Sequence, residues 1–534
     1  MSRRVASPSV LLVAGCALMC WGCLVVLGFD GYDTSEPNAG PGSQPEGGLA
    51  DGSLVGDFAL TATPPTITLV KGGPPANVTI GVKPGEGFSA AVALSTSMLG
   101  MGLATTTDGL VVLPPATGAA VTISLASSLT APVGKSAISI RGTAGALSHE
   151  VTIDVLVRAA PGTVDTSFGD GGSTNTGFAE GVVLEDLVVA PDDSIVLGGT
   201  LTDDAGTGSF AVARHRADGT LDTSFGSAGT VTTALPGGAS GRLGGLVMLP
   251  DGKLLAAGTS DAATAIFVAR YTSAGALDAT FGTAGFATIA RPMSAVVMLA
   301  RRPSGQLAVL GAAPGSVARL VALAPDGALD PTFADAGVVD YPKAMKPQAA
   351  ALGGDGRVSA HGLVGKNCAV AAFAADGTPA ELSASVGFAC AGPGVAVDAT
   401  GYRGAVGRTQ GALGSNESVF VRLLLPDGGD DTAFDLRAPV GDGEGSAVTF
   451  DAQGRLVVAL TTVAPTGMGV TRVRRDGTAD LTFSGGAVVY LTRPPSGEER
   501  ARRIAVQSDG RIVVAGTLLA LGAASTFRMT RLWP

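Results

Sequence analysis

Six aspartates, each followed three residues later by phenylalanine, stand out by type and spacing: Asp165/Phe168, Asp222/Phe225, Asp278/Phe281, Asp330/Phe333, Asp431/Phe434 and Asp480/Phe483. A carboxylate repeated in this way can ligate calcium, or it can accept hydrogen bonds from the backbone of its own turn. Calcium needs several oxygen ligands converging from one loop, as in D-x-D-x-D-G, and no copy has that spacing. Turn capping is the expectation. One large apolar side chain recurring at one position predicts a core layer between neighbouring units, which is the role expected of the phenylalanines. His149, His215 and His361 fall in no C-x-x-C or H-x-x-x-H pattern, so no metal site is expected. His215 or His361 could act as a general base, but an isolated histidine is more often structural. No G-x-S-x-G elbow, H-E-x-x-H helix or phosphate-binding loop occurs. The paired carboxylates Asp203–Asp204 and Asp430–Asp431 lie in turns, where solubility explains them. No catalytic residue and no cofactor is expected.

These residues belong to a chain of 534, with 46% hydrophobic and 15% charged residues, 79 glycines and 31 prolines. That composition fits a folded protein and excludes a charge-rich disordered one. The net charge of −10, and the lack of any basic cluster denser than Arg474–Arg475 or Glu499–Arg503, exclude nucleic acid as a partner. The Glu499–Arg503 stretch reads as a solvated strand entry. With two tryptophans and five tyrosines in the whole chain, stacking on sugar rings is disfavoured.

The chain opens with a basic MSRR and then runs without charge from Val10 to Phe29, an export signal over residues 1–28. Within it, Leu12–Cys16 resembles the lipobox of bacterial lipoproteins, which implies lipidation at Cys16. The uncharged run is also long enough for an uncleaved membrane anchor, and simple secretion is a third possibility. Either anchored form places the remainder outside the cytoplasm, on the bacterial envelope. Of the five cysteines only Cys368 and Cys390 lie beyond this segment, and an even pair in an oxidising compartment predicts a disulfide.

Residues 29–56 are rich in Gly, Pro, Ser and acid, a flexible linker. Over 57–158 short runs such as Val121–Leu125 and Val151–Val155 alternate apolar and polar residues between small-residue breaks, predicting a small antiparallel β-sandwich. Its rhythm resembles the immunoglobulin-like modules of bacterial surface proteins, although it has no Cys pair and no strand Trp.

From 161 to 534 the chain repeats, and repeats at this period fix the architecture. The anchor aspartates are 57, 56, 52, 101 and 49 residues apart, and the double gap hides a copy that lost its anchors, with Ala380 and Ser383 at the Asp and Phe positions. A second marker, a turn opening a strand, occurs seven times, for example Pro250–Lys253 and Ser508–Arg511. A unit of about 50 residues with four short strands is a propeller blade. The strings LDTSFGSAG (221–229), VMLPDGKLLAAGT (247–259) and FVARYTSAGALD (267–278) resemble the delta-60 repeat of bacterial surface and exported proteins. That resemblance implies a β-propeller and leaves its biochemical role open. The expected fold is all-β, a seven-bladed propeller preceded by the small sandwich. Val164–Phe168 is expected to pair beside the last strand, Thr526–Leu532, and close the ring.

Three functions are compatible with this chain: an envelope-displayed binding or scaffold protein with an unknown protein or envelope ligand, an extracellular hydrolase or lyase, and a purely structural envelope component. Polar residues converging at one mouth of the central channel would point to the enzyme, and an apolar, filled channel to either alternative. The loops between the second and third strands vary most and should ring one face, so Arg408, Asn416 and Glu417 in the longest are candidates for partner contact. Mass spectrometry of exported protein under non-reducing conditions is expected to find Cys368 linked to Cys390; two free thiols would overturn the pairing.

Overall fold

The computed structural model describes residues 56–534 except 108–109, 113–117, 129, 366, 385–393, 409–418, 427–428, 430, 432, 435–442, 464–465, 492–496 and 520–521. The signal with Cys16, the Cys390 position, Asn416 and Glu417 lie outside the described residues, as do the side chains of Cys368 and Arg408. No described helix is long and apolar enough to cross a membrane, and the regular structure is strand apart from two short 3₁₀ turns.

Residues 58–158 form two sheets. One orders Phe58–Thr63, Ala76–Pro84, Ala119–Ser127 and Leu103–Thr105; the other contains Thr66–Val70, Leu147–Arg158, Gly134–Ala144, Val92–Leu99 and Leu110–Val112. Alternate residues of both, such as Val78, Ile80, Ile123, Ile138 and Ile153, are buried in one shared core, which is what period-2 patterning produces when each sheet keeps one wet face.

Beyond residue 160 the described strands make seven separate antiparallel sheets, six of four strands and one of three. The first strand of each sheet touches the first strand of the next, and Val182–Val189 of the first sheet touches Glu498–Val506 of the last, so the sheets stand around a closed ring as a β-propeller. The apolar clusters lie between sheets. Phe168, Leu184 and Leu197, for instance, pack with Val513, Phe527 and Met529 of the closing sheet. A blade therefore cannot bury its faces alone, and neighbours supply each other's core.

Ring closure differs from the expectation in one respect. Val164 makes a single bridge to Leu532, and the strand that completes the last sheet is Ser173–Thr176, with Ser173 opposite Thr530. Asp165 N–H still donates to the Arg531 carbonyl at 2.8 Å, and residues 166–168 then leave the pairing for the anchor turn, in which Phe168 N–H donates to the Asp165 carbonyl. Gly169, Gly171 and Gly172, all at positive φ, then reverse the chain onto the last strand.

In the copy without anchors, the chain leaves the Asp376–Gly377 turn straight into the strand Pro379–Ala384, with Phe373 paired to Pro379 and Ala369 to Ala384. The intact copies insert the anchor turn at this point and place their outer strand later, as at Thr230–Thr233.

The second strand of five sheets carries a glycine, Gly199, Gly258, Gly311, Gly362 and Gly516, with almost no room beside it. A Cβ on Gly258 would sit 2.0 Å from the Arg242 carbonyl oxygen and 2.7 Å from the Phe210 ring of the preceding sheet. The close approach lets the preceding blade's aromatic seat over the strand. Gly258→Val is expected to destabilise the fold by roughly 1–3 kcal/mol or more through overpacking, measured by denaturant unfolding; an unchanged midpoint would show that the blades can separate freely.

Candidate functional site

The repeated aspartates are placed in turns, and each works with partners the motif alone does not reveal. At Asp278, Oδ1 accepts from the backbone N–H of Thr280 at 3.1 Å and its hydroxyl at 2.6 Å. Oδ2 accepts from Arg270 Nε at 2.9 Å and Lys253 Nζ at 2.9 Å. The Arg270 guanidinium lies 4.7 Å over the Phe281 ring, and its Nη1 donates at 3.1 Å to the Pro325 carbonyl in the next sheet. Arg214 with Asp222 and Phe225, Arg472 with Asp480 and Phe483, and Arg531 with Asp165 and Phe168 repeat the unit. Arg531 and Asp165 come from opposite ends of this region, so the same contact locks the ring.

Where the third strand carries Ala322 in place of arginine, Arg302 from the preceding turn stacks on Phe333 at 4.5 Å and reaches the Ala375 carbonyl, while Gln306 donates to Asp330. At the remaining copy, Asp431 caps the Ala433 N–H and Phe434 is buried. Four of the six phenylalanines also face the turn glycine of the following unit: a Cβ on Gly219, Gly275, Gly327 or Gly377 would fall 2.5 to 3.0 Å from the Phe168, Phe225, Phe281 or Phe333 ring respectively. At Asp278 both carboxylate oxygens are occupied by protein donors, and among the described residues no group of three His, Cys, Asp or Glu side chains converges to hold a metal. The motif is a latch between blades. The arginine eight residues before Asp222, Asp278 and Asp480 is the signal that would have shown this from sequence.

Convergent polar groups lie elsewhere, in the central channel. Six of the seven first strands are interrupted by a β-bulge at the same level, at Glu185, Gly244, Val297, Gln348, Ser446 and Arg502. A bulge re-aims its extra residue, and all six line one cavity of about 330 Å³. The bulge is framed by side chains of the preceding sheet: Thr517 and Thr200 hydroxyls accept from Leu184 and Leu243 N–H at 2.9 and 3.1 Å. Each bulge residue lies seven positions before the second residue of the following turn (Asp192, Asp251, Ser304, Asp355, Gln453 and Asp509), so the ring could have been counted from sequence.

Arg503 closes the channel wall by donating from Nε to Asp186 at 2.9 Å, and Asp186 Oδ2 accepts from Leu246 N–H at 2.7 Å, so one carboxylate ties three sheets together. Below this level a second cavity of about 460 Å³ is lined mainly by apolar residues such as Val297, Leu299, Leu352 and Val448. The mouth above holds Glu185, Glu444, Arg500 and Arg502. Burial pushes the Glu185 carboxyl above its ordinary range, against the pull of Arg502, Arg503 and Arg242. The Oε1 of Gln348 is buried and receives no hydrogen bond among the described residues.

The solvated reading of Glu499–Arg503 is thus corrected at its buried positions: the stretch is the innermost strand of the closing sheet. Glu499 is fully buried against Arg528 at 2.6 Å, while Arg500 and Arg502 stay exposed on the channel side. The histidines are away from the channel. His215 is buried, with Nε2 2.8 Å from the Thr176 hydroxyl, and His361 is buried in a second strand.

The second strand runs antiparallel to the first, so the loop that follows it emerges where the first strand begins. Described loops such as 203–207 and 261–265 therefore surround the same end of the ring as the charged mouth. Arg408 ends a second strand opposite Val419, at the base of the longest loop, whose residues 409–418 lie outside the described set. Residues 58–158 enter from the other side: the chain joins at Val164 beside Leu532, where Lys71 and Val133 share a cavity with Trp533 and Arg511.

A β-propeller domain of unknown function (DUF5122) matches residues 190–225, 249–281 and 507–534, stretches that begin at the turn before a second strand. No curated protein matches the chain. Solved structures of similar shape include a quinonprotein alcohol dehydrogenase-like protein from Bacteroides thetaiotaomicron, 14% identical, covering 80% of this chain and 92% of that one with a TM-score of 0.37. The PQQ-bound aldose sugar dehydrogenase of Streptomyces coelicolor is 13% identical, covering 70% and 100% with a TM-score of 0.35. Sqt1 from Chaetomium thermophilum is 12% identical, covering 64% and 81% with a TM-score of 0.40.

The buried groups make acid sensitivity predictable. Burial holds His215 and His361 at about 4 against an ordinary 6.5. Unfolded histidines take up protons first, so stability is full above pH 6.5 and falls as pH drops towards 4. At Asp480 burial raises the carboxyl, but the Thr482 hydrogen bonds and Arg472 outweigh it and bring it to about 2, so its contribution is lost as pH falls from 3.8 through 2. The melting temperature should fall in two steps, the first absent in a His215→Gln/His361→Gln variant and the second reduced in Asp480→Asn. A single step below pH 4 in the wild type would refute the histidine part.

Proposed function

We propose that this chain is an envelope-displayed binding protein: a seven-bladed propeller of the delta-60 type on an immunoglobulin-like spacer, tethered through Cys16 or an N-terminal helix, with its ligand site at the loop-ringed mouth of the channel. One observation carries the proposal. The six bulge residues bring charged and amide groups together in one cavity, at the end of the ring where the variable loops emerge. The spacer joins at the other end, so a tether there leaves this mouth facing outward.

Polar convergence at one mouth is also what the enzyme reading called for. The residues that meet there bind better than they react. Ser446 hydrogen-bonds with Thr461 at 3.2 Å, Arg500 pairs with Glu498 and Arg503 with Asp186, and among the described residues no histidine lines the cavity. A hydrolase or lyase is the second reading, favoured by Glu185 alone, whose raised affinity for its proton suits a general acid.

Two variants test the site and the tether separately. Arg502→Ala together with replacement of 408–418 by a short Gly-Ser turn should abolish thermal-shift responses to small polar ligands while leaving the unliganded melting temperature nearly unchanged, because the Arg502 side chain is exposed. Responses that survive both changes would move the site to the opposite face or the spacer. Cys16→Ser should release the protein from the membrane fraction; retention would favour the helical anchor.

A further inference from the structure

The mouth holds opposite charges that attract without meeting. Arg502 and Glu185 line the same cavity, yet no ion pair joins them within 4.0 Å, and the Arg502 guanidinium has no hydrogen-bonded partner among the described residues. Glu444, on the same lining, is likewise without an ion-pair partner there. The other two arginines of the mouth are already committed, Arg500 to Glu498 and Arg503 to Asp186. Gln348 adds a buried carbonyl oxygen that lacks a donor. A buried acceptor left unpaired costs on the order of 1–3 kcal/mol, so a donor supplied by a ligand would be rewarded.

The needs of these groups differ in sign, and together they describe one kind of ligand. A free guanidinium calls for a carboxylate, which it can hold by two parallel hydrogen bonds. Two carboxyl groups and an amide oxygen call for a group that donates and carries positive charge. Phosphates and dicarboxylates would face Glu185 and Glu444, diamines would face the arginines, and a neutral sugar would leave both signs uncompensated; no aromatic ring among the described residues lines the cavity. A cavity of about 330 Å³ is within the size range of small-molecule sites.

We infer that the channel mouth binds a free α-amino acid, its carboxylate on Arg502 and its ammonium among Glu185, Glu444 and the Gln348 carbonyl. The inference rests on reading the mouth as the ligand site, and it names the chemistry of that ligand. The zwitterion bridges the arginine and the carboxyl groups that share this lining without pairing.

Titration calorimetry of the full chain at pH 7 with each of the twenty free amino acids tests this, beside N-acetylated and amidated forms and succinate, glucose and putrescine. At least one amino acid should give saturable heat, and capping either end should weaken it by about tenfold or more. In Arg502→Ala the amide should bind as well as the free acid, and in a Glu185→Gln/Glu444→Gln variant the N-acetyl form should bind as well as the free amine. These coupled losses would not follow from a structural role for the same residues. No heat from any amino acid up to about 10 mM would overturn the inference. Succinate, glucose or putrescine binding that Arg502→Ala abolishes would also overturn it while leaving the mouth as the site, and free amino-acid binding that neither Arg502→Ala nor Glu185→Gln/Glu444→Gln alters would remove both readings.

Discussion

A blade of this protein cannot stand alone, and the contact that overcomes this is the arginine held between an aspartate of its own blade and a carbonyl of the next. The aspartate fixes the turn and orients the guanidinium, the guanidinium covers the phenylalanine, and the phenylalanine fills the gap left by the next blade's glycine. Removing any one of the four leaves another buried group without its partner, which is why the elements recur together. The Ala322 blade shows the constraint from the other side. With the strand arginine gone, Arg302 reaches the same ring and the next carbonyl from a different element.

Because the latches lie where the third strands turn toward the anchor motifs, the inner strands are relieved of holding the ring together by side-chain bulk. Their bulges can project small or charged residues into the channel, while threonines of the preceding sheets satisfy the N–H groups that a broken ladder exposes. Asp186 is the exception, joining three first strands where the ring closes. The chemistry of the mouth is thereby freed from the fold. Glu185, Gln348 and Arg502 occupy equivalent positions with different side chains, which is how a repeated scaffold acquires an asymmetric site.

Much of the fold was legible in the residues. The Asp-x-x-Phe spacing marks every unit but the one with Ala380 and Ser383, and the turns before the second strands mark the rest of the pattern, because each demands a particular residue: glycine at positive φ, aspartate to cap a turn, phenylalanine to fill a gap. Those are local requirements, and local requirements leave a periodic trace. The arginine of the latch was equally periodic, yet its significance depends on a carbonyl some 55 residues further along.

What the sequence determined by itself was therefore the unit: its strands and its turns. Tertiary structure decided what faces what. The Glu499–Arg503 strand reads as solvated because acidic residues neighbour its arginines, and only the closed ring shows that one set of those residues looks into a channel and the other into neighbouring blades. The ring likewise selected Ser173–Thr176 over Val164–Phe168 as the closing strand, since the anchor turn must be made before the chain can reverse. The physical reason is the same in both cases. A channel is a property of seven strands brought together from more than 300 residues of chain, and no segment alone carries its inside or its outside.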